Sequence, residues 1–123
     1  MQSANALPAA TGKGRIVTLW FLSALVAVAF IGAGGAKLAG VPLMVEEFAK
    51  VGLGQWFRYF TAILEITGAI GLLIPRYAFY AAMLLVAVMA GAIVAHLAVL
   101  GGSPAPAVTL LILSGIIAWL RKG

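Results

Sequence analysis

Residues 16–36, IVTLWFLSALVAVAFIGAGGA, decide the fold class of this chain. This run of about 21 residues carries no charge, and at ~1.5 Å per residue it is long enough to cross a hydrocarbon core of about 30 Å. Three further apolar runs follow, at 56–74, 77–100 and 104–120. Because backbone groups in lipid must pair within their own segment, continuous runs of this length form helices. The sequence therefore predicts an all-α membrane protein built as a four-transmembrane-helix bundle.

The composition excludes a soluble globule. Of the 123 residues, 64% are hydrophobic and 9% are charged, whereas soluble domains carry about 25% charged residues. So few charges cannot cover the surface of a protein in water. The length fits one domain, and we assign residues 15–123 to a single transmembrane domain. Residues 1–14 are small and polar without apolar periodicity, which predicts a flexible N-terminal tail.

Residue counts exclude several classes of cofactor site. The chain has no Cys, which excludes disulfides, thiolate metal sites and iron–sulfur clusters. Its single His excludes a bis-histidine haem within one protomer. The stretch 32–37, GAGGAK, lacks the spacing of a phosphate-binding loop, so no nucleotide signature is present. The net charge of +5 is scattered along the chain, so we expect the lipid bilayer as a partner and no nucleic acid.

The basic residues near the ends of the apolar runs predict the orientation. With an even number of spans, both termini lie on the same side as the connection at 75–76. That side carries Lys13, Arg15, Arg76, Arg121 and Lys122, and the other carries Lys37, Lys50 and Arg58 together with Glu46 and Glu47. The positive-inside rule therefore places both termini in the cytoplasm, in a multi-pass protein of the inner (cytoplasmic) membrane. A cleaved signal peptide is the alternative for the first run, and it would leave three helices.

The connection between the first two runs, residues 37–55, is too long for a tight turn. Apolar residues recur in it at helical spacing, and charged residues lie on the other side. The apolar set is Leu43, Met44, Phe48 and Val51, and the charged set is Glu46, Glu47 and Lys50. This pattern predicts a short amphipathic helix at the membrane interface between helices 1 and 2.

Glu65 is the most informative single residue. It lies about nine residues from either end of its run, near the bilayer midplane, where an acidic side chain must face the bundle interior. A helical face at 3/4 spacing contains Arg58, Thr61, Glu65, Gly68 and Leu72, which predicts a helix–helix contact surface. Two interpretations of Glu65 stay open. It either hydrogen-bonds neighbouring helices as a structural residue, or it binds a proton or a ligand.

Lys37 and His96 are the other two candidate site residues. Because helical side chains lean toward the N-terminus, Glu65 points toward the level of His96 and Lys37 in the outer half of the bundle. His96 is interpreted either as a packing residue or as a ligand-binding group. Lys37 either extends to lipid headgroups or pairs with Glu65. Arg58 leans outward, away from Glu65, and is expected to contact headgroups.

Small residues at the end of the first run predict close contacts between helices. The pairs Gly32 with Ala36 and Gly35 with Ala39 have the small-xxx-small spacing that lets two backbones approach in lipid.

Four stretches resemble the DoxX-like family of membrane proteins. They are 30–40, FIGAGGAKLAG; 42–52, PLMVEEFAKVG; 64–75, LEITGAIGLLIP; and 92–97, AIVAHL, in this order. The resemblance covers about residues 15–120 and implies a four-helix inner-membrane protein. It also implies distant kinship with a subunit linked to thiosulfate:quinone oxidoreduction. Lys37, Glu65 and His96 fall on the characteristic polar positions of that family.

We therefore expect an accessory component of a quinone-linked redox system, with Lys37, Glu65 and His96 lining a pocket in the outer half of the bundle. Quinone is the expected ligand, and electron transfer would require a membrane redox partner. A second copy of the chain is the other expected partner. Whether the chain itself is an enzyme stays open, because fold does not establish function. The alternatives are a binding or transport module for a small amphipathic molecule or lipid, and a purely structural membrane subunit.

Overall fold

The computed structural model describes residues 2–122, with side chains from residue 12 onward. Its helices are α1 (Gln2–Ala39), α2 (Pro42–Val51), α3 (Trp56–Leu72), α4 (Ala78–Ala95), a π-helical turn (His96–Leu100) and α5 (Ala105–Arg121). The described residues contain no strand, which confirms the all-α prediction. The predicted tail, residues 1–14, lies for most of its length outside the part described with side chains and stays a prediction.

Glycines and prolines set the ends of these helices close to the predicted positions. The φ angle of Gly40 is +72° and that of Gly52 is +84°, a left-handed conformation that glycine adopts without strain at a helix end. The N–H of Gly52 donates to Phe48 O at 3.4 Å, which closes the last turn of α2. Pro75 lies just beyond α3, and Pro104 directly precedes α5. The amphipathic stretch after the first run is therefore a helix, as predicted.

The four longer helices pack in a closed order. Helix α1 packs against α3, α3 against α4, α4 against α5, and α5 against α1. All four helices contribute to the core. Its largest fully buried apolar side chains are Phe30 of α1, Leu72 of α3, Leu85 of α4 and Ile117 of α5. Helix α2 lies at one end, where it contacts α3 and the π-helical turn.

Glycines allow the close approach of neighbouring helices. A Cβ atom on Gly68 would lie 2.6 Å from a side-chain carbon of Leu85, so α3 and α4 meet closely at the predicted face. On α1 the contact residue is Gly34, where a Cβ would lie 2.6 Å from Ile66. A Cβ on Gly32 or Gly35 would meet nothing within 4 Å. The glycines of the predicted pairs, Gly32 and Gly35, therefore make no close contact with another described helix of this chain, because the rotation of α1 turns Gly34 toward α3.

The outer surface of the helices is apolar. Phe21, Val28, Tyr80, Leu97 and Trp119 are between 65% and 74% exposed. Two helical segments are long and apolar enough to cross a membrane: Gly12–Ala39, with a mean hydropathy of 2.4, and Ala78–Leu100, with 2.5. Only 11% of the second window is buried, whereas the core helix of a soluble protein would be mostly buried.

Two of the four predicted spans have fewer than the 18 residues that a candidate membrane span needs. Helices α3 and α5 have 17 residues each. At ~1.5 Å per residue they cover about 25 Å, somewhat less than a hydrocarbon core of about 30 Å. The fold is thus all-helical with two membrane-span candidates.

Candidate functional site

An ion pair joins α1 to α3 inside the protein. Lys37 Nζ lies 2.9 Å from Glu65 Oε1, and the side chains are 13% and 2% exposed. Lys37 belongs to the last turn of α1, and Glu65 occupies the middle of α3. Of the two interpretations of Lys37, pairing with Glu65 is therefore the one observed. It is the one ion pair between side chains in the part of the chain that the structure describes.

The predicted inward face of α3 is confirmed. Arg58, Glu65, Gly68 and Leu72 are buried, and Thr61 is half-buried. This face packs against both α1 and α4. Its one acidic group thus lies between packed helices, as predicted for Glu65.

Arg58 forms a second polar contact with α1. The side chain is 6% exposed, and Nη1 donates to the backbone oxygen of Lys37. Its Nε donates to Gln55 Oε1 at 2.8 Å, and Gln55 Nε2 donates in turn to Val45 O at 3.1 Å. Arg58 is therefore a second donor to the Lys37 carbonyl at the C-terminal end of α1, which also accepts from the N–H of Gly40 at 3.3 Å.

The expected contact of Arg58 with lipid headgroups is wrong. The chain turns at Gly40, and a Cβ there would lie 3.4 Å from Arg58 Nη1, so the end of α1 is within reach of the guanidinium. The backbone oxygen of Lys37 is therefore a nearer acceptor for the Arg58 guanidinium than the lipid headgroups at the membrane surface. The sequence contains one feature that could have indicated this role of Arg58. Gln55 and Arg58 are three residues apart, and this spacing places two side chains on the same face of a helix.

His96 lies in a different place from the ion pair. It lines a groove of about 320 Å³ between α2 and the end of the third long apolar segment. The other lining residues are Leu43, Glu46, Glu47, Lys50, Leu100, Gly101, Gly102 and Ser103. The groove therefore combines four titratable side chains with two leucines.

A π-helical turn forms the His96 side of this groove. The N–H of Gly101 donates to His96 O at 3.0 Å, which spans five residues instead of the four of an α-helix. Gly101 and Gly102 then have φ angles of +73° and +69°, and they end the helix. His96 Nδ1 lies 3.0 Å from Ala92 O. Because a carbonyl oxygen only accepts, Nδ1 carries the proton of this bond, and Nε2 of the neutral ring is the acceptor.

The structure thus brings two of the three predicted site residues together. Lys37 and Glu65 are in contact, whereas the groove of His96 includes neither of them. The charged face of α2, with Glu46, Glu47 and Lys50, contributes to the groove instead. The sequence pattern identified this face only as the polar side of an amphipathic helix. The ligand-binding roles of the three residues stay predictions.

No group of three or more His, Cys, Asp or Glu side chains that could hold a metal ion occurs among the described residues. Glu46, Glu47 and His96, though they line one groove, do not form such a group.

The sequence model of the DoxX-like family matches residues 21–120. This chain belongs to the DoxX-like family. The matched range covers the second half of α1, all of α2, α3 and α4, and α5 up to residue 120, and it includes Lys37, Glu65 and His96. Family membership and the apolar helices together indicate a membrane protein.

A relative of this DoxX-like protein is found in Bacillus subtilis (strain 168), under the name uncharacterized protein YdgD. The two are 39% identical over 75 residues, a match that covers 58% of this chain and 66% of the relative. The chain therefore matches slightly less than two thirds of that protein's length. No solved structure matches the chain.

Proposed function

We propose that this DoxX-like protein is a four-span protein of the inner (cytoplasmic) membrane with both termini in the cytoplasm. Helices α3 and α5 are short, but 17 residues lie at the lower end of the range of transmembrane helices. Both pack directly against the two longer apolar helices. The excess of basic residues at the termini and at Arg76 supports the orientation.

Reporter fusions test this topology. We expect fusions after Gly123 and within 75–76 to report the cytoplasm, and a fusion within 101–106 to report the outside. A fusion at 101–106 that reports the cytoplasm would contradict the four-span arrangement.

We propose further that the protein binds the polar head of a small amphipathic molecule, a quinone, as an accessory component of a redox system. The groove of His96 is the observation that carries this proposal. Its volume of about 320 Å³ lies at the lower end of the range for small-molecule sites. Leu43 and Leu100 provide apolar contact, and His96 and Lys50 provide hydrogen-bonding groups for the oxygens of a quinone ring.

His96 has the chemical role in this proposal. The Nδ1 proton is committed to Ala92 O, which leaves Nε2 to accept a proton from a quinol hydroxyl or, when protonated, to donate to a quinone oxygen. Oxidation of a quinol releases two protons and two electrons. Nε2 accepts one proton, the carboxylate of Glu46 or Glu47 in the same groove accepts the other, and the electrons pass to a membrane redox partner. Lys37 and Glu65 hold α1 against α3 and position the end of α1 that leads into α2.

Binding of a short-chain ubiquinone to the purified protein tests the proposal. Native mass spectrometry and equilibrium dialysis measure retention in detergent. We expect His96→Leu, which removes both ring nitrogens, to weaken binding about tenfold, the effect of losing one hydrogen bond to a well-placed partner of about 1.4 kcal/mol. Thr67→Val, which removes a hydroxyl on α3 outside the groove, serves as the control and should bind like the parent chain. Equal affinity for ubiquinone in His96→Leu and the parent chain, or no retention of ubiquinone by the parent chain, would contradict the proposal.

A further inference from the structure

The end of the molecule opposite the groove carries a cluster of cations with no acidic side chain near it. The cations are Lys13 and Arg15 near the start of α1 and Arg121 and Lys122 at the end of α5, and we call this region the basic end. The structure brings its two halves together, because Arg15 Nη2 donates to the backbone oxygen of Leu120.

The acidic residues of the chain lie far from the basic end. There are three of them, Glu46, Glu47 and Glu65. Glu65 pairs with Lys37, which lies about 33 Å from Arg15 along α1 at ~1.5 Å per residue. That separation exceeds a Debye length of about 8 Å several times, so these carboxylates do not balance the charge of the basic end.

Arg121 is the member of the basic end whose hydrogen-bond donors lack acceptors. Its side chain is half-buried, and its Nε and Nη2 atoms are buried without a hydrogen-bond acceptor among the described residues. The guanidinium carbon lies 5.7 Å from the centre of the Trp20 ring. A partly desolvated cation without a counter-anion is unfavourable, so an anion from outside the described chain would stabilise this site.

The surroundings of the basic end favour a lipid as the source of this anion. Trp20 and Trp119 are exposed beside it, and Lys122 Nζ lies 5.6 Å from the ring of Trp119. Exposed tryptophans next to cations are typical of the headgroup level of a membrane. Phe21 and Leu25, which follow Trp20 along α1 toward the membrane centre, are 68% and 50% exposed and offer apolar surface for an acyl chain.

We propose that the basic end binds the phosphate of an anionic phospholipid headgroup, with an acyl chain against Phe21 and Leu25. Arg121 and Arg15 supply planar donors to the phosphate oxygens, and Lys13 and Lys122 add point charges at the rim. This site is independent of the groove of His96, and neither proposal requires the other.

The test is titration of the purified full chain in detergent with phosphatidylglycerol or phosphatidylcholine. Native mass spectrometry counts the bound lipid, and the melting temperature reports stabilisation. We expect retention of phosphatidylglycerol and a rise in melting temperature that phosphatidylcholine does not produce. Arg121→Gln should weaken phosphatidylglycerol binding about fivefold, the contribution of one cation near a membrane surface. Arg121→Lys, which keeps the charge, should recover most of it.

Arg76→Gln is the matched control. Arg76 is exposed, is expected on the same side of the membrane, and lies outside the basic end. Loss of the Arg76 charge should change the affinity for phosphatidylglycerol less than twofold. An equal loss of affinity in Arg76→Gln and Arg121→Gln would overturn the proposal in favour of diffuse electrostatic attraction. Competition by millimolar inorganic phosphate would overturn it in favour of a free anion.

A further variant keeps the proposal open to refutation. If Arg121→Gln fails to fold, the double variant Lys13→Gln/Lys122→Gln changes exposed residues only and should still weaken binding at least fivefold. An affinity of this double variant equal to that of the parent chain would overturn the proposal.

Discussion

Replacing Lys37 with methionine removes the cation that contacts Glu65 while keeping most of the apolar length of the side chain. Replacing Glu65 with glutamine removes the other charge while keeping the shape of the carboxyl group. Both variants break the same ion pair, but the structure predicts unequal costs.

The exposures of the two side chains determine these costs. Glu65 is 2% exposed, so Lys37→Met leaves a buried carboxylate without a partner, at a cost of about 3–5 kcal/mol. Lys37 is 13% exposed and lies in the last turn of α1, where its flexible side chain can extend toward the interface. Glu65→Gln should therefore cost only about 1 kcal/mol, the size of one polar contact between helices in a membrane.

A double-mutant cycle measures this asymmetry. The free energy of unfolding is determined in mixed micelles by titration with a denaturing detergent for the parent chain, the two single variants and the double variant. Because the double variant has no unpaired charge, we expect it to lose only about 1–2 kcal/mol, which leaves a coupling of about 3 kcal/mol. Lys50→Met, at an exposed position of α2, is the control and should stay within about 0.5 kcal/mol of the parent.

Two results would refute this reasoning. Equal losses in Lys37→Met and Glu65→Gln would mean that Glu65 has access to water or to another donor. Additive losses in the double variant would mean that the 2.9 Å contact does not contribute to stability.

Two further substitutions test the packing and the end of α1. Gly68→Leu should lower the free energy of unfolding by about 3 kcal/mol, because even a Cβ there would lie 2.6 Å from Leu85. Gly32→Leu, at an exposed position with open space, should be neutral or slightly stabilising, and similar stabilities of the two variants in thermal unfolding would contradict the predicted contact. Arg58→Met keeps the apolar stem but removes the donors to Lys37 O and Gln55, so we expect a loss of about 2 kcal/mol in the same detergent titration. A loss below about 0.5 kcal/mol would mean that Arg58 does not stabilise this end of α1.

The sequence by itself determined the helices and the inward face of α3. The predicted run at 56–74 corresponds to α3 at Trp56–Leu72, and the run at 104–120 to α5 at Ala105–Arg121. These features follow from local chemistry, because run length, glycine and proline positions and the period of 3.6 residues are properties of one segment. The same period predicted that Glu65 and Gly68 point inward, and both are buried.

Only the tertiary structure decided which partners the polar side chains have. Gly34 contacts α3 while Gly32 does not, because the rotation of α1 about its axis depends on the helix it packs against. Arg58 binds the end of α1 because the turn at Gly40 brings a carbonyl within its reach. His96 lies in a groove with α2 because a π-helical turn and a distant helix form its walls. Each of these contacts joins segments far apart in sequence, and their geometry is fixed only when the helices pack together.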